Sequence, residues 1–550
     1  MLNSVLGATA QLSDLVRSVR IMHRAGLLPI PRVDIGLRSV LATRRYGPFV
    51  GAMRNALEQT PDAIAIIDEK GPVTYAELDL QSNALAHAWL SYGLRSGSVI
   101  AALCRDHRGL VLTMLAAGKI GARLVLMNTG FARPQLADVA RRERVEAIVY
   151  DEEFTEILGD IPESVTRYVS WRESRDKSAR LTTSIDDLVH FRRSSRVPTP
   201  SSPGGFVLLT SGTTGTPKGA PRDRTSIFAT AQFLDRIPLR QGGTTFMAAP
   251  IFHGTGLSQF VLSLALGCTV VLNRKFDPEK TLAAIEHFGV DVLIVVPTML
   301  QRILDLDDDV LHRYNTSSVR IIFAAGSSLS PDLCRRTAAR FGDVLYNLYG
   351  STEVAVATVA TPAELRRAPG TAGRSPITCK VALFDDDGAR IDNPDVTGRI
   401  FVGSGLSFEG YTDGRNKEIL DGLLSSGDIG HFNSEGLLFV DGRDDDMVVS
   451  GGENVYPIEV ENLLIDRPDV RDAAVVGVAD VEFGHRLRAF VVSDQPLSGD
   501  AARERADEIR DYVRRNLARY KTPRDVIFID ELPRNATGKL LRRELEKWDK

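Results

Sequence analysis

A chain of 550 residues carrying 67 Lys and Arg against 71 Asp and Glu is too long for one ordinary hydrophobic core and implies several domains or subdomains. Its formal net charge of −4 excludes the strongly basic surface that duplex nucleic acid requires, so no nucleic-acid partner is expected. Cys104, Cys268, Cys334 and Cys379 are scattered, without CxxC spacing or a secreted disulfide framework. With no stretch of the ~20 apolar residues that a membrane-spanning helix needs, a cytoplasmic protein is expected.

At the N-terminus, Leu2, Val5, Leu6, Leu12, Leu15, Val16 and Val19 share one helical face, while Asp14, Arg17, Arg20 and Arg24 lie away from it. Residues 1–45 thus read as an amphipathic extension. Asp14 interrupts the apolar run and no basic segment precedes it, which argues against a cleaved secretory signal. The apolar face is expected to dock on the protein's own body. The second reading is a peripheral contact of residues 1–36 with the acidic inner face of a membrane.

From Pro61 onward, β-branched runs at residues 63–67, 99–103 and 124–127 alternate with helical stretches, a pattern of parallel sheets flanked by helices. Residues 182–205, rich in Ser, Arg and Pro, read as an exposed connection into an apolar strand at 206–210. Residues 292–296 and 319–323 look like further buried strands. Beyond Gly373 the texture turns antiparallel, with strands at 380–384 and 399–402 about an Asp-Asp-Asp-Gly turn at 385–388. That acidic turn fails the EF-hand spacing, because Leu383 stands where the first calcium ligand belongs and no Glu closes the loop. After Gly442 and Arg443 a polar cluster leads into a small C-terminal domain. The expected fold is α/β. A large N-terminal region, residues 46–442, would hold two α/β subdomains and a small β-barrel, followed by a mobile α+β domain at 443–550.

Residues 210–219, Thr-Ser-Gly-Thr-Thr-Gly-Thr-Pro-Lys-Gly, concentrate phosphate-binding chemistry. Gly212, Gly215 and Gly219 let the backbone approach a ligand, and successive N–H groups can point at phosphate oxygens. Hydroxyls from Thr210, Ser211, Thr213 and Thr214 add donors, and Lys218 adds a positive charge. The Walker A pattern fails, since Lys218 is followed by Gly219 and the glycine spacing is wrong. On this loop alone an ordinary glycine-rich connection stays open.

With its partners in order along the chain, the loop resembles the adenylate-forming superfamily of acyl-CoA synthetases, luciferases and peptide-synthetase adenylation domains. The partners are Pro-Ile-Phe-His at 250–253, Asn-Leu-Tyr-Gly-Ser-Thr-Glu at 347–353 and Ser-Gly-Asp at 426–428. Then come Gly442-Arg443 leading to Ser-Gly-Gly-Glu-Asn-Val-Tyr-Pro at 450–457, and Pro-Arg-Asn-Ala-Thr-Gly-Lys at 533–539. The resemblance runs from about Tyr46 and implies ATP, Mg²⁺ and coenzyme A. By it, Glu353 holds Mg²⁺ and Thr352 stands beside the α-phosphate. Tyr349, in the block with Asn347, Gly350 and Ser351, stacks on adenine, whose other face Gly326 and Ser327 line. Asp428 accepts the ribose hydroxyls, and Arg443 contacts the same ribose. His253, followed by Gly254, shapes the entrance to the acyl pocket; a general base is not needed, because the attacking carboxylate is already ionised at neutral pH. Lys539 supplies the charge that stabilises the transition state. Asp445 is the implied hinge of the C-terminal domain, and Gly451 and Gly452 leave room for the thiol.

Peptide-synthetase domains usually place an Asp soon after the counterpart of Pro250 to bind an ammonium; residues 252–258 carry no acid, which disfavours an amino acid substrate. Similarity at 457–461, 483–490 and the last motif is greatest to bacterial fatty-acyl-CoA ligases, so a medium- or long-chain fatty acid is expected. The chain ends soon after Lys539, leaving no fused carrier domain, and free coenzyme A is the expected acceptor. Two alternatives stay open: a fatty-acyl-AMP ligase loading a carrier protein, and a non-catalytic nucleotide-binding protein. Assembly as a homodimer is a further open expectation.

Overall fold

The alternating runs fold into two largely parallel sheets. The computed structural model describes residues 2–28, 33–173, 182–190, 194–210, 218–222, 227–404, 410, 416–444, 448–450, 453–480, 484–495, 497–535 and 538–548. In the eight-stranded sheet, Leu345–Tyr349, Ile321–Ala325, Val292–Val295, Thr244–Met247, Thr269–Leu272 and Ile64–Asp68 run parallel in that spatial order, with antiparallel strands Thr358–Ala360 and Gly71–Thr74 at the edges. The six-stranded sheet orders Thr166–Trp171, Ala147–Asp151, Val99–Leu103, Arg123–Leu126 and Phe206–Thr210 in parallel, closed by antiparallel Lys218–Arg222. Central strands such as Val292–Val295 are buried along their whole length, as expected of sheets covered on both faces by helices.

A third, antiparallel sheet is built from residues 380–443, and its Asp385–Gly388 turn is closed by backbone hydrogen bonds. Among the described residues its strands pair in the order Arg390–Ile391, Lys380–Phe384, Gly398–Gly403, Leu423–Phe432 and Ile419–Leu420, with Leu438–Arg443 also paired to Leu423–Phe432. The C-terminal sheet, from Val448–Ser450 to Asp525–Phe528, is mixed, with helices Pro457–Ile465 and Gly499–Asn516 against it.

Three sequence expectations shift. The strand expected at 319–323 occupies Ile321–Ala325, because the N–H groups of Val319 and Arg320 turn to Thr316 and Asp291 instead of entering the ladder. The connection at 182–205 contains a helix, Ile185–His190, whose start is held by reciprocal hydrogen bonds between Ser184 and Asp187, with Ile185 and Leu188 buried. The N-terminal extension forms two helices, α1 (Leu2–Ala25) and α2 (Val33–Tyr46), followed by α3 (Pro48–Gln59). α1 does dock on the body, through Ser18, Met22 and Ala25 together with Val19 of the expected face; Met22 packs on Ala231 and Ile377, while the side chains of Leu2, Val5, Leu6 and Leu12 lie outside the described residues. Leu15 and Val16, assigned to the docking face, are 41% and 60% exposed. A face spaced at i, i+4, i+7 is what meets the body, one step around the helix from the most apolar stripe. None of the helices among the described residues is long and apolar enough to cross a membrane.

The two parallel sheets meet near Asp106, just beyond strand Val99–Leu103. Its carboxylate accepts the Ile251 N–H at 3.1 and 3.2 Å, anchoring the turn that precedes helix Gly254–Ala265. Burial, with a smaller contribution from Asp151, pushes this carboxyl from 3.8 up to about 7. The folded protein therefore holds a proton that the unfolded chain has released across that window, and stability falls as pH rises through it. Asp106→Asn keeps an oxygen acceptor for Ile251 but does not titrate. Its melting temperature should fall less than that of the parent between about pH 4.5 and about pH 8, as differential scanning fluorimetry would show; parallel curves would refute the assignment.

Candidate active site

In parallel sheets ligands gather at the carboxyl ends of the strands, where loops diverge. Here Thr244–Met247, Val292–Val295, Ile321–Ala325 and Leu345–Tyr349 all end on one cavity of about 1450 Å³, and the residues that follow them, including Pro250, Pro297, Gly326 and Gly350, line it.

Asp428 and Arg443 face each other in register on the antiparallel strands Leu423–Phe432 and Leu438–Arg443. Arg443 Nε lies 3.3 Å from Asp428 Oδ1, and the Tyr349 hydroxyl donates to Asp428 Oδ2 at 2.6 Å. Burial raises the Asp428 carboxyl above its usual range, against the opposing charges of Arg443, Lys417 and Lys539. Burial and the adjacent Asp428 also push the Tyr349 hydroxyl up, so it remains a neutral donor. Gly427, at φ +81°, turns the chain into this pair, and a Cβ there would stand 3.0 Å from Lys417 Nζ.

Beyond Tyr349 the chain makes a tight turn. A Cβ on Gly350 would fall 1.9 Å from the Ala355 carbonyl, so glycine is required there. Ser351 Oγ donates to Glu353 Oε2 at 2.8 Å and accepts the Glu353 and Val354 N–H groups. Thr352 and Glu353 both line the cavity. Asn347 is buried, and its amide donates to the Thr371 carbonyl at 3.2 Å, so it braces the floor of the site. Gly326, at φ +99°, precedes Ser327, whose buried Oγ has no hydrogen-bond partner among the described residues.

His253 caps helix Gly254–Ala265 through its backbone position, with its ring 4.4 Å from that of Phe252. Burial depresses its imidazole to about 3, and Nε2 has no partner among the described residues. It is therefore neutral at physiological pH. A Cβ on Gly254 would touch only Leu208, at 3.9 Å, which leaves the helix start open to the cavity.

The C-terminal domain closes over this mouth. Gly538, at φ +74°, comes so near helix Pro297–Leu304 that a Cβ would lie 1.9 Å from Thr298 Oγ1. Gln301 donates to the Arg471 carbonyl at 2.8 Å, and Arg335 pairs with Asp466 at 3.0 Å. Lys539, whose N–H is held by Asn535 Oδ1 at 2.9 Å, lines the same cavity as Asp428 and Glu353.

Ser211, Gly212, Thr213, Thr214 and Gly215 lie outside the described residues, as do Asp445, Gly451 and Gly452. Thr210 and Lys218 are the paired ends of the strands that flank the phosphate-binding candidate. Lys417 and Thr298 escaped the sequence reading, because neither stands in a motif and each matters only through what lies across the cavity. Away from the site, Cys104, His107 and Asp151 offer ligand atoms within 4.8 Å of one another. Both His107 nitrogens are engaged, Nε2 with Asp151 at 2.8 Å and Nδ1 with the Gly109 N–H at 3.0 Å. Burial raises the Cys104 thiol, so this group is a hydrogen-bonded brace.

The family model of the AMP-binding enzymes matches residues 53–412, and that of the AMP-binding enzyme C-terminal domain matches residues 459–539. The chain is similar to an indoleacetate–CoA ligase of Aromatoleum aromaticum, with 32% identity over 88% of this chain and 95% of that protein. It is 29% identical to a 2-succinylbenzoate–CoA ligase of Bacillus licheniformis, over 90% of this chain and 98% of the relative. Among solved structures it resembles the o-succinylbenzoate CoA synthetase of Bacillus subtilis bound to its acyl-adenylate intermediate. The TM-score is 0.77, with 27% identity over 91% of this chain and 98% of that one. The chain belongs to the AMP-binding enzyme family. It is an ATP-dependent ligase of a carboxylic acid and coenzyme A that works through an acyl-adenylate, with Mg²⁺ accompanying the nucleotide.

Two outcomes follow from this geometry. Tyr349→Phe removes a donor to a buried carboxylate, an interaction of about 1.5–3 kcal/mol, and should raise the KM for ATP by about tenfold or more in a pyrophosphate-release assay. Gly538→Val places a side chain against Thr298 and strains a left-handed residue. It should suppress acyl-adenylate formation while sparing thioester formation from supplied acyl-adenylate; equal loss of both steps would refute the closure contact.

Proposed function

We propose that this enzyme activates an apolar carboxylic acid, with a medium- or long-chain fatty acid as the preferred class. One carboxylate oxygen attacks the α-phosphorus of ATP, a P–O bond forms, and pyrophosphate departs with the electrons of the broken bond. The thiol of coenzyme A then attacks the carbonyl carbon, and AMP leaves. The donor set fits a nucleotide. Asp428 offers only acceptors and suits a vicinal diol, Tyr349 offers a ring at the strand end, and the unpaired Ser327 Oγ offers a further polar contact. Glu353, with Ser351 positioning its carboxylate, would hold Mg²⁺, whose charge would offset that of the phosphates. Lys539 stabilises charge on the oxygens around the α-phosphorus, with Thr352 beside them. Neutral His253 shapes the acid entrance and takes no proton. Residues 211–215 with Lys218 would grip the departing phosphates, and Asp445, Gly451 and Gly452 would serve the hinge and thiol path, assignments that rest on sequence pattern.

The observation that carries the choice of acid is the lining beyond His253. Of the residues between 22 and 55 and between 230 and 265 that border the cavity, none is charged. Leu257, Val261 and Ala265 extend it along helix Gly254–Ala265, a span of about 12 Å. An uncharged trough of that length suits a hydrocarbon tail. The names of the relatives favour a second reading, an aryl acid, since those proteins act on indoleacetate and 2-succinylbenzoate.

Pyrophosphate and AMP release should be measured over straight-chain acids of increasing length beside indole-3-acetate and 2-succinylbenzoate, with and without coenzyme A. Rising kcat/KM with chain length supports the fatty-acid reading, whereas activity confined to the ring acids replaces it with the aryl one. Thioester formation with coenzyme A alone separates this enzyme from a carrier-protein loader. Lys539→Ala should abolish acyl-adenylate formation and leave thioester formation from supplied acyl-adenylate largely intact; normal adenylation would sink the role given to Lys539.

A further inference from the structure

The matched family domain begins at residue 53, yet the cavity continues past it into the N-terminal extension. Leu28, Gly36, Ser39, Val40 and Thr43 all border it, opposite Ala52 and Asn55 of α3. We infer that the extension is the far wall of the acid site and that the inner face of α2, centred on Val40, sets the size of acid admitted. The inference rests on the acid-activating reading above.

Three observations support it. First, α2 is two-faced: Gly36, Ser39, Val40 and Thr43 follow the i, i+3, i+4, i+7 spacing of one helical face, whereas Leu37, on the other side, is 60% exposed. Second, the extension is fitted closely rather than laid on. A Cβ on Gly51 of α3 would fall 2.0 Å from Thr43 Oγ1, and one on Gly36 would fall 2.5 Å from Leu28 Cδ2. Third, the lining at this end carries no charge: Leu28, Gly36, Val40 and Ala52 stand beside Ser39, Thr43 and Asn55.

Volume added at Val40 should therefore shorten the trough without reaching the nucleotide. The test compares Val40→Phe, Val40→Ala and, as a control on the exposed face, Leu37→Phe, each as the full-length enzyme assayed by pyrophosphate release over straight-chain and aryl acids of graded size. Each methylene lost from burial is a factor of about four. Val40→Phe should thus lower kcat/KM for the largest acids at least about tenfold, keep the smallest accepted acid within about twofold, and leave the KM for ATP unchanged. Val40→Ala should shift the optimum to larger acids, and Leu37→Phe should match the parent. A size profile that stays the same in both Val40 variants, or a loss of equal factor on every acid, overturns the inference. Should Val40→Phe fail to fold, the Val40→Ala profile decides alone. Activity of the parent on ring acids only would overturn the fatty-acid reading while leaving the wall testable on aryl acids of increasing size; no pyrophosphate with any acid would overturn both.

Discussion

The contact that organises the site is the buried hydrogen bond from Tyr349 to Asp428, with Arg443 on the other carboxylate oxygen. Tyr349 ends a parallel strand of the eight-stranded sheet, while Asp428 and Arg443 belong to neighbouring strands of the antiparallel sheet. Two sheets of different design are thereby fastened at the wall of the cavity. A carboxylate at that depth needs partners, because an unpaired buried charge is costly. The same partners fix its two oxygens at the wall of the cavity.

The closed position of the C-terminal domain depends on a different constraint, the absence of a side chain at Gly538. Its left-handed backbone and its approach to Thr298 let the segment carrying Lys539 reach a cavity it could not otherwise enter. Among the described residues further contacts between the domains include Gln301 with the Arg471 carbonyl, Arg335 with Asp466, and Tyr456 and Ile458 beside Gly442. In the proposed reading, movement of this domain between the two half-reactions would bring different groups to one centre.

The electrostatics differ along the cavity. One end carries Glu353, Asp428, Arg443 and Lys539, whereas the residues from α1 and α2 that border it are uncharged and His253 is neutral. In the proposed reading an acid keeps its carboxylate near the charged groups and its tail toward the uncharged end, which the extension bounds.

By itself the sequence determined the class of chemistry and most strands, because parallel strands are short apolar runs and nucleotide-binding groups cluster in local motifs. Residues 347–353, 426–428 and 533–539 stand out as motifs for that reason, and Asn347, Tyr349, Glu353, Asp428 and Lys539 border one cavity. Periodicity was a poorer guide to α1, since the docking face depends on what Ala231 and Ile377 present to it and not on which stripe is most apolar. The helix at Ile185–His190 was hidden by polar neighbours, its short apolar face being meaningful only against the body it packs on. Only the tertiary structure brought Tyr349 to Asp428, Gly538 to Thr298, and α2 to the end of a cavity that starts far along the chain. Each is a contact between segments distant in sequence, and local pattern records which residues can make such a contact, not which partner the fold will supply.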